Sequence, residues 1–295
     1  MDDREHGRLD DGFYHRYLGH SVEDLRLLEQ YARVQGKTIV WLAGDSTLDN
    51  KFWVLECDDM AKQAPQNLKA VFDDEAFCRA DVAYWMNTMN PHHITINTAV
   101  EEATIGSKMV NLNESDRFIQ EHILEKDTLI VSIGGNDVAH KASFLTLLSL
   151  AVIILATPMF LWQYLAWTPP MRHLDRLFRR DCEQYVESLV LKTKPKRVLL
   201  CTVYYPDITG GKRRGWASEA LKWLKYDSNP DRLQKFIDLI HDKCTSKIRV
   251  TGNTSIHHIA LSQTLNGSDT KYYVQRVEPS VNGGKKIAET FSAFL

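Results

Sequence analysis

The run Thr38-Ile39-Val40-Trp41-Leu42-Ala43, ending abruptly in Gly44-Asp45-Ser46, is what most limits how this chain can fold. An apolar, β-branched run of this length, with no polar alternation, reads as a strand buried on both faces. Such strands belong to parallel sheets covered by helices. In open sheets of that kind ligands bind beyond the carboxyl ends of the strands, so a hydroxyl delivered there is placed for chemistry. A serine at that point also serves to cap a following helix, and the tripeptide alone does not separate the two roles.

A second stretch repeats the layout. Thr128-Leu129-Ile130-Val131-Ser132-Ile133 runs into Gly134-Gly135-Asn136-Asp137. Further apolar strands are expected over residues 94–97, 198–205 and 254–261. Helices are expected over 21–35, where Ser21 and Asp24 have a cap spacing, and over 77–89, 172–194, 215–225 and 230–246. Residues 1–20 read as a loose polar arm. Strands and helices in alternation imply a three-layer α/β/α sandwich around a parallel sheet of about five strands.

The two glycine-ended stretches, in this order, resemble the SGNH or GDSL family of serine hydrolases, whose first block is Gly-Asp-Ser and whose third is Gly-x-Asn-Asp. The resemblance implies a flavodoxin-like domain over 36–295, preceded by an arm and helix over 1–35. It implies that Ser46 is the nucleophile and that Asn136 and the Ser46 N–H are oxyanion donors, with Asp45 and Gly135 beside them. The family's second block has the form Asn-x-Gly-x-x-Gly-x-Thr. Setting Asn97 and Thr104 on its ends places Glu102 where the second glycine would offer a backbone N–H. A carboxylate at that position opposes a developing oxyanion unless it is protonated or turned away.

The family's last block is Asp-x-x-His, followed by Pro-x-x-x-Gly and a helix. Here Pro279 and Gly283 fit, but Gln275 stands at the aspartate position and Glu278 at the histidine position. Three accounts follow. Glu278 takes the serine proton itself, oriented by Gln275; burial would then have to raise its pKa, since a free Glu is a weaker base than His by about two units. Alternatively a histidine from elsewhere, His140, His257 or His258, is the base; His140 lies one helical turn beyond Asn136. Otherwise hydrolysis is lost. The expected function is hydrolysis of a small-molecule, acyl or lipid ester, and the alternative is an inactive SGNH-fold protein that binds a ligand or a membrane.

Composition removes other classes. A net charge of -2 lacks the basic excess of a nucleic-acid binder. Five scattered cysteines with no Cys-x-x-Cys spacing suggest neither a zinc site nor a disulfide framework. His92-His93 is a poor metal pair because sequence neighbours face different ways, and no cofactor is implied. The charged N-terminal residues lack the apolar core of a signal peptide. The expectation is an intracellular protein, cytoplasmic or peripheral to a membrane.

One segment fits none of this. Residues 142–171 contain no charged residue. That is long enough for a membrane span, but it lies between the third and fourth strands of one sheet, and Pro158 interrupts it. Three readings stand: a helical hairpin buried within the protein or against a second copy in a homodimer; a monotopic hairpin in one leaflet, with Trp162, Tyr164 and Trp167 at the interface; or a lid over an apolar pocket. Arg172, Arg176, Arg179 and Arg180 follow at once and suit either anionic lipid or a solvated helix face.

Overall fold

The computed structural model describes residues 7–54, 63–209 and 215–295. The charged N-terminal residues 1–6 and one of the five cysteines, Cys57, lie outside them. Five parallel strands form one sheet: β1 (Thr38–Gly44), β2 (His93–Asn97), β3 (Thr128–Ser132), β4 (Arg197–Thr202) and β5 (Ser255–Ala260), in the order β2-β1-β3-β4-β5. A short antiparallel pair, β6 (Tyr273–Val274) with β7 (Glu278–Pro279), lies near the C-terminus.

The side chains of β1 alternate between two cores. Ile39, Trp41 and Ala43 face one, with α1 (Val22–Val34), α4 (Glu114–His122), α8 (Cys182–Leu189) and α10 (Pro230–Lys243). Val40 and Leu42 face the other, with α2 (Val82–Met89) and α11 (Val281–Ser292). This is the three-layer α/β/α sandwich, and burial on both faces explains why β1 reads as an unbroken apolar run. The remaining helices are α3 (Ile105–Val110), α5 (Gly135–Ala139), α6 (Phe144–Leu150), α7 (Pro169–Asp175) and α9 (Ser218–Trp223).

The chain passes from β1 out to β2 and returns to β3 on the other side of β1. The crevice between β1 and β3 is therefore the switch point of the sheet, where ligands of such folds bind. Register places Gly44 opposite Ser132, so both glycine turns leave the sheet at one level. Gly44 has φ +135°, and a Cβ there would stand 1.7 Å from the Ser132 carbonyl oxygen. Only glycine lets the two strand ends come this close.

Several expectations need correction. Residues 7–20 are not a loose arm: Leu9, Phe13, Tyr14 and His20 are buried, and Leu9 bridges to Phe72. The helix expected over 77–89 starts at Val82, because Asp81 accepts from the Tyr84 N–H and caps it. The fourth strand stops at Thr202, three residues short. The segment expected as one helix over 172–194 contains a π-helical stretch, Arg176–Asp181, between α7 and α8.

The uncharged segment comprises α6, a π-helical stretch (Ala151–Ala156) and a 3₁₀ stretch (Met159–Trp167). Its inner side packs into the core through Leu150, Ile153, Ile154, Trp162 and Leu165. Arg232 of α10 ties it down, donating to the Ile154 and Thr157 carbonyls at 2.5 and 2.7 Å. Trp162 is thus a core residue under Arg232, not an interfacial one. No helix among the described residues is long and apolar enough to cross a membrane.

Candidate active site

Beyond the β1 and β3 ends lies a cavity of about 130 Å³, lined by Asp45, Ser46, Gly135, Asn136, Trp216 and Glu278 among mostly apolar neighbours. Five residues singled out from sequence therefore share one wall. The Asp45 N–H continues the sheet by donating to the Ser132 carbonyl at 3.0 Å. Its carboxylate accepts from the Thr47 N–H at 3.1 Å, which turns the chain so that Ser46 faces the cavity. Burial raises the Asp45 carboxyl to about 6 against the hydrogen bonds from Thr47, and nearby Asp137 adds to the rise.

Asn136 is buried at the start of α5, just beyond Gly134 (φ +119°), and its Nδ2 donates to the Ala103 carbonyl at 3.0 Å. One amide hydrogen is fixed by that bond while the second remains on the same planar group. Asp137 caps the neighbouring α3, accepting from the Ile105 and Gly106 N–H groups at 2.8 and 3.2 Å. Both residues of this turn therefore lock the second sequence block against the third.

Glu102 has φ +60°. That left-handed conformation favours glycine, and it occurs at the position where the family's block has its second glycine. The Glu102 carboxylate is turned outward, where it meets Lys141 Nζ at 3.0 Å and His140 Nε2 at 3.8 Å. The expected conflict with an oxyanion is relieved by orientation.

Glu278 is 1 % exposed. Its Oε1 accepts from the Trp216 indole Nε1 at 3.0 Å. Burial raises its pKa to about 7, against the Ser46 hydroxyl and the Trp216 indole, which favour the carboxylate. Ser46 lines the same cavity, and its hydroxyl is the neighbour that most favours the Glu278 carboxylate. Two bonds hold the adjoining backbone: Asn50 Nδ2 to the Pro279 carbonyl at 3.1 Å and the Tyr204 hydroxyl to the Val277 carbonyl at 2.5 Å. Gln275, with φ +47°, reaches the same group through Trp216, whose backbone N–H it accepts at 3.4 Å.

No histidine among the described residues lines the cavity. His140 sits at the rim, its ring edge-to-face with Trp216 at 5.4 Å. His257 and His258 are on the edge strand β5, bonded to Ser255 and to the Ile248 carbonyl. His93 begins β2 at the far end of the sheet, bonded to Thr38. No group of three or more metal-ligating side chains occurs among the described residues.

Two participants were not visible in the sequence. Trp216 follows a polar loop and carried no signal beyond its position at a sheet end. Glu101 is buried, accepts from Trp53 Nε1 at 3.2 Å, and is raised to about 9 by burial first and then by the charges of Glu278 and Asp49. It adjoins the half-buried Glu102, and nothing in the sequence separates the two.

The strand order, the crevice between β1 and β3, and the Gly-Asp-Ser and Gly-Gly-Asn-Asp turns on its two sides decide the architecture. The fold is of the SGNH hydrolase type. No family model matches the sequence, and no significant match occurs among curated proteins. Among solved structures, it is similar to phospholipase A1 from Streptomyces albidoflavus (11% identity, 87% of this chain and 99% of that one, TM-score 0.44). It is also similar to an extracellular lipase from Streptomyces rimosus (11%, 87% and 99%, 0.43). An acetyl xylan esterase from Geobacillus stearothermophilus is a third (14%, 87% and 93%, 0.41).

Proposed function

We propose that this SGNH-type protein hydrolyses esters through Ser46, with Glu278 as the general base. The observation that carries the reading is that the buried Glu278 carboxyl and Ser46 line one cavity, with burial raising the Glu278 pKa to about 7. A base works best when its pKa lies near the working pH, and burial supplies to Glu278 what a histidine has without help. Glu278 accepts the Ser46 proton as Oγ adds to the ester carbonyl. The oxyanion is met by Asn136 Nδ2 and by the Ser46 and Glu102 N–H groups. Collapse expels the alcohol, which takes the proton from Glu278, and water then cleaves the acyl-serine by the same route.

Glu101 supports the assignment by contrast. Two buried carboxyls that repel each other do not both ionise readily, and the more strongly raised one stays protonated. Glu278 is left as the group that ionises first.

The cavity is close in size to engineered apolar cavities of about 150 Å³ that hold benzene. It suits a small apolar acyl group. The buried free thiols Cys78, Cys182, Cys201 and Cys244 support an intracellular location, in the cytoplasm or peripheral to a membrane.

The test is fluorophosphonate labelling read by intact mass across pH 5 to 9, a range that ionises a raised Glu. The expected result is one adduct on the wild type that rises with pH and is absent from Ser46→Ala and Glu278→Gln. A folded wild type that takes no adduct overturns the hydrolase reading and leaves a ligand-binding protein. An adduct that persists in Glu278→Gln overturns the base.

A further inference from the structure

The outer face of residues 144–167 is built the wrong way round for water. In α6, Thr146 and Ser149 are buried, while Phe144, Leu145, Leu147 and Leu148 are exposed. The buried hydroxyls are satisfied internally: Thr146 is hydrogen-bonded to His173 Nε2 at 3.0 Å, and Ser149 donates to the Leu145 carbonyl at 2.7 Å. A surface helix in water places serine and threonine outside and leucine inside. The 3₁₀ stretch adds Phe160, Tyr164 and Trp167, exposed by 73%, 70% and 80%. Nine of the 19 exposed large apolar residues among those described fall within these 24 positions, so the exposure is concentrated rather than scattered. Scattered exposure is ordinary, whereas concentrated exposure marks an interaction site.

We infer that this face docks into one leaflet of a membrane carrying anionic lipid. Charge complementarity favours lipid over another protein. Arg172, Arg176 and Arg180 are exposed directly after the segment; Arg176 and Arg180 are in long salt bridges, at 3.8 Å with Asp181 and 3.6 Å with Asp175, that leave their outer N–H groups toward solvent. Anionic headgroups attract such a cluster. Tyr164 and Trp167 have the amphipathic rings that settle at headgroup level. Protein interfaces carry a polar rim that hydrogen-bonds to the partner, and a face drawn from thirty residues without a charge has little of one.

The surface also connects to chemistry. Leu150 at the end of α6 lines the same cavity as Ser46, and so does Phe178 of the π-helical stretch Arg176–Asp181 beyond α7. The segment with the apolar outer face thus reaches the acyl site through Leu150. This extension to a lipid ester rests on the proposed hydrolase reading; the docking itself does not.

The test is co-sedimentation of the full chain with phosphatidylcholine vesicles, with and without 30% phosphatidylserine. Ser46 labelling by a water-soluble fluorophosphonate and circular dichroism are measured in parallel. The wild type is expected to sediment with the anionic vesicles. The triple variant Phe144→Ser, Phe160→Ser, Trp167→Ser should lose that binding with its spectrum and labelling unchanged. Arg172→Glu, Arg176→Glu and Arg180→Glu together should weaken it by at least about fivefold per arginine. Wild type left in the supernatant with both vesicles overturns the inference, as does a triple variant that still sediments. A concentration-dependent dimer that the triple variant abolishes, without vesicle binding, assigns the face to a second copy and overturns it too. Sedimentation without labelling upholds the docking while the hydrolase reading fails, so the two failures are separable.

Discussion

The Trp216 indole N–H donates to Glu278 Oε1 at 3.0 Å across 62 positions of sequence. Burial and Asp45 disfavour the charge of Glu278, and after the Ser46 hydroxyl this donor is the second support of its carboxylate form. A hydrogen bond to a charged group is worth about 1.5–3 kcal/mol. Trp216→Phe keeps the ring and removes the donor. The midpoint of the pH dependence of Ser46 labelling should then rise by about one to two units. An unchanged midpoint would show that Trp216 does not tune the base.

Glu101 should leave that midpoint nearly unchanged. Its carboxyl is still protonated while Glu278 titrates, so Glu101→Gln exchanges one neutral group for another. The substitution should change stability instead. In the folded protein the Glu101 carboxyl holds its proton to about pH 9, whereas an unfolded Glu loses it near 4.5. The folded state therefore binds more protons between those values, and stability present below pH 4.5 is lost as pH rises through 9. Asp81 and Asp45, raised to about 7 and about 6 chiefly by burial, have the same sign over narrower windows. Wild-type Tm should fall from pH 5 to 9, and Glu101→Gln should fall less.

Asn136→Ala removes the proposed side-chain donor to the oxyanion. The rate of Ser46 labelling should drop by roughly 10²–10³-fold, the usual effect of deleting one such donor. Loss of the bond to the Ala103 carbonyl should cost about 1 kcal/mol of stability in urea unfolding. A labelling rate within threefold of wild type would place the oxyanion elsewhere.

Glu102 carries a side chain in a conformation that costs a non-glycine residue about 1–2 kcal/mol. Its ion pair with Lys141 is largely exposed, and such pairs contribute little. Glu102→Gly should therefore raise Tm by about 2–4 °C. A lower Tm would mean that the pairing with Lys141 outweighs the strain.

Gly44→Ala tests the close approach of β1 to β3. The added Cβ would overlap the Ser132 carbonyl oxygen at 1.7 Å, and backbone must move to admit it. Destabilisation beyond about 4 kcal/mol is expected, the range reserved for steric failure in a core. Soluble yield and the urea midpoint read it out.

The layers, the strands and three residues that line the cavity are legible in the sequence. Each of those is a local property. Two-sided burial shows as the unbroken run 38–43, the close approach of two strand ends shows as Gly44, and Ser46, Asn136 and Glu278 occupy fixed offsets from glycine turns or a proline. How Glu278 is surrounded is decided by the tertiary structure. Glu101 and Glu102 are neighbours of identical type, yet one is buried and held protonated while the other meets Lys141 in solvent. Nothing in their order foretells that difference, because burial is set by what packs above them. The same holds for α6: its composition permits either face to turn inward, and against α7, where His173 bonds Thr146, its hydroxyls are turned in and Leu145, Leu147 and Leu148 out. Desolvation and pairing are properties of the assembled neighbourhood, and here they set which of Glu101 and Glu278 ionises first.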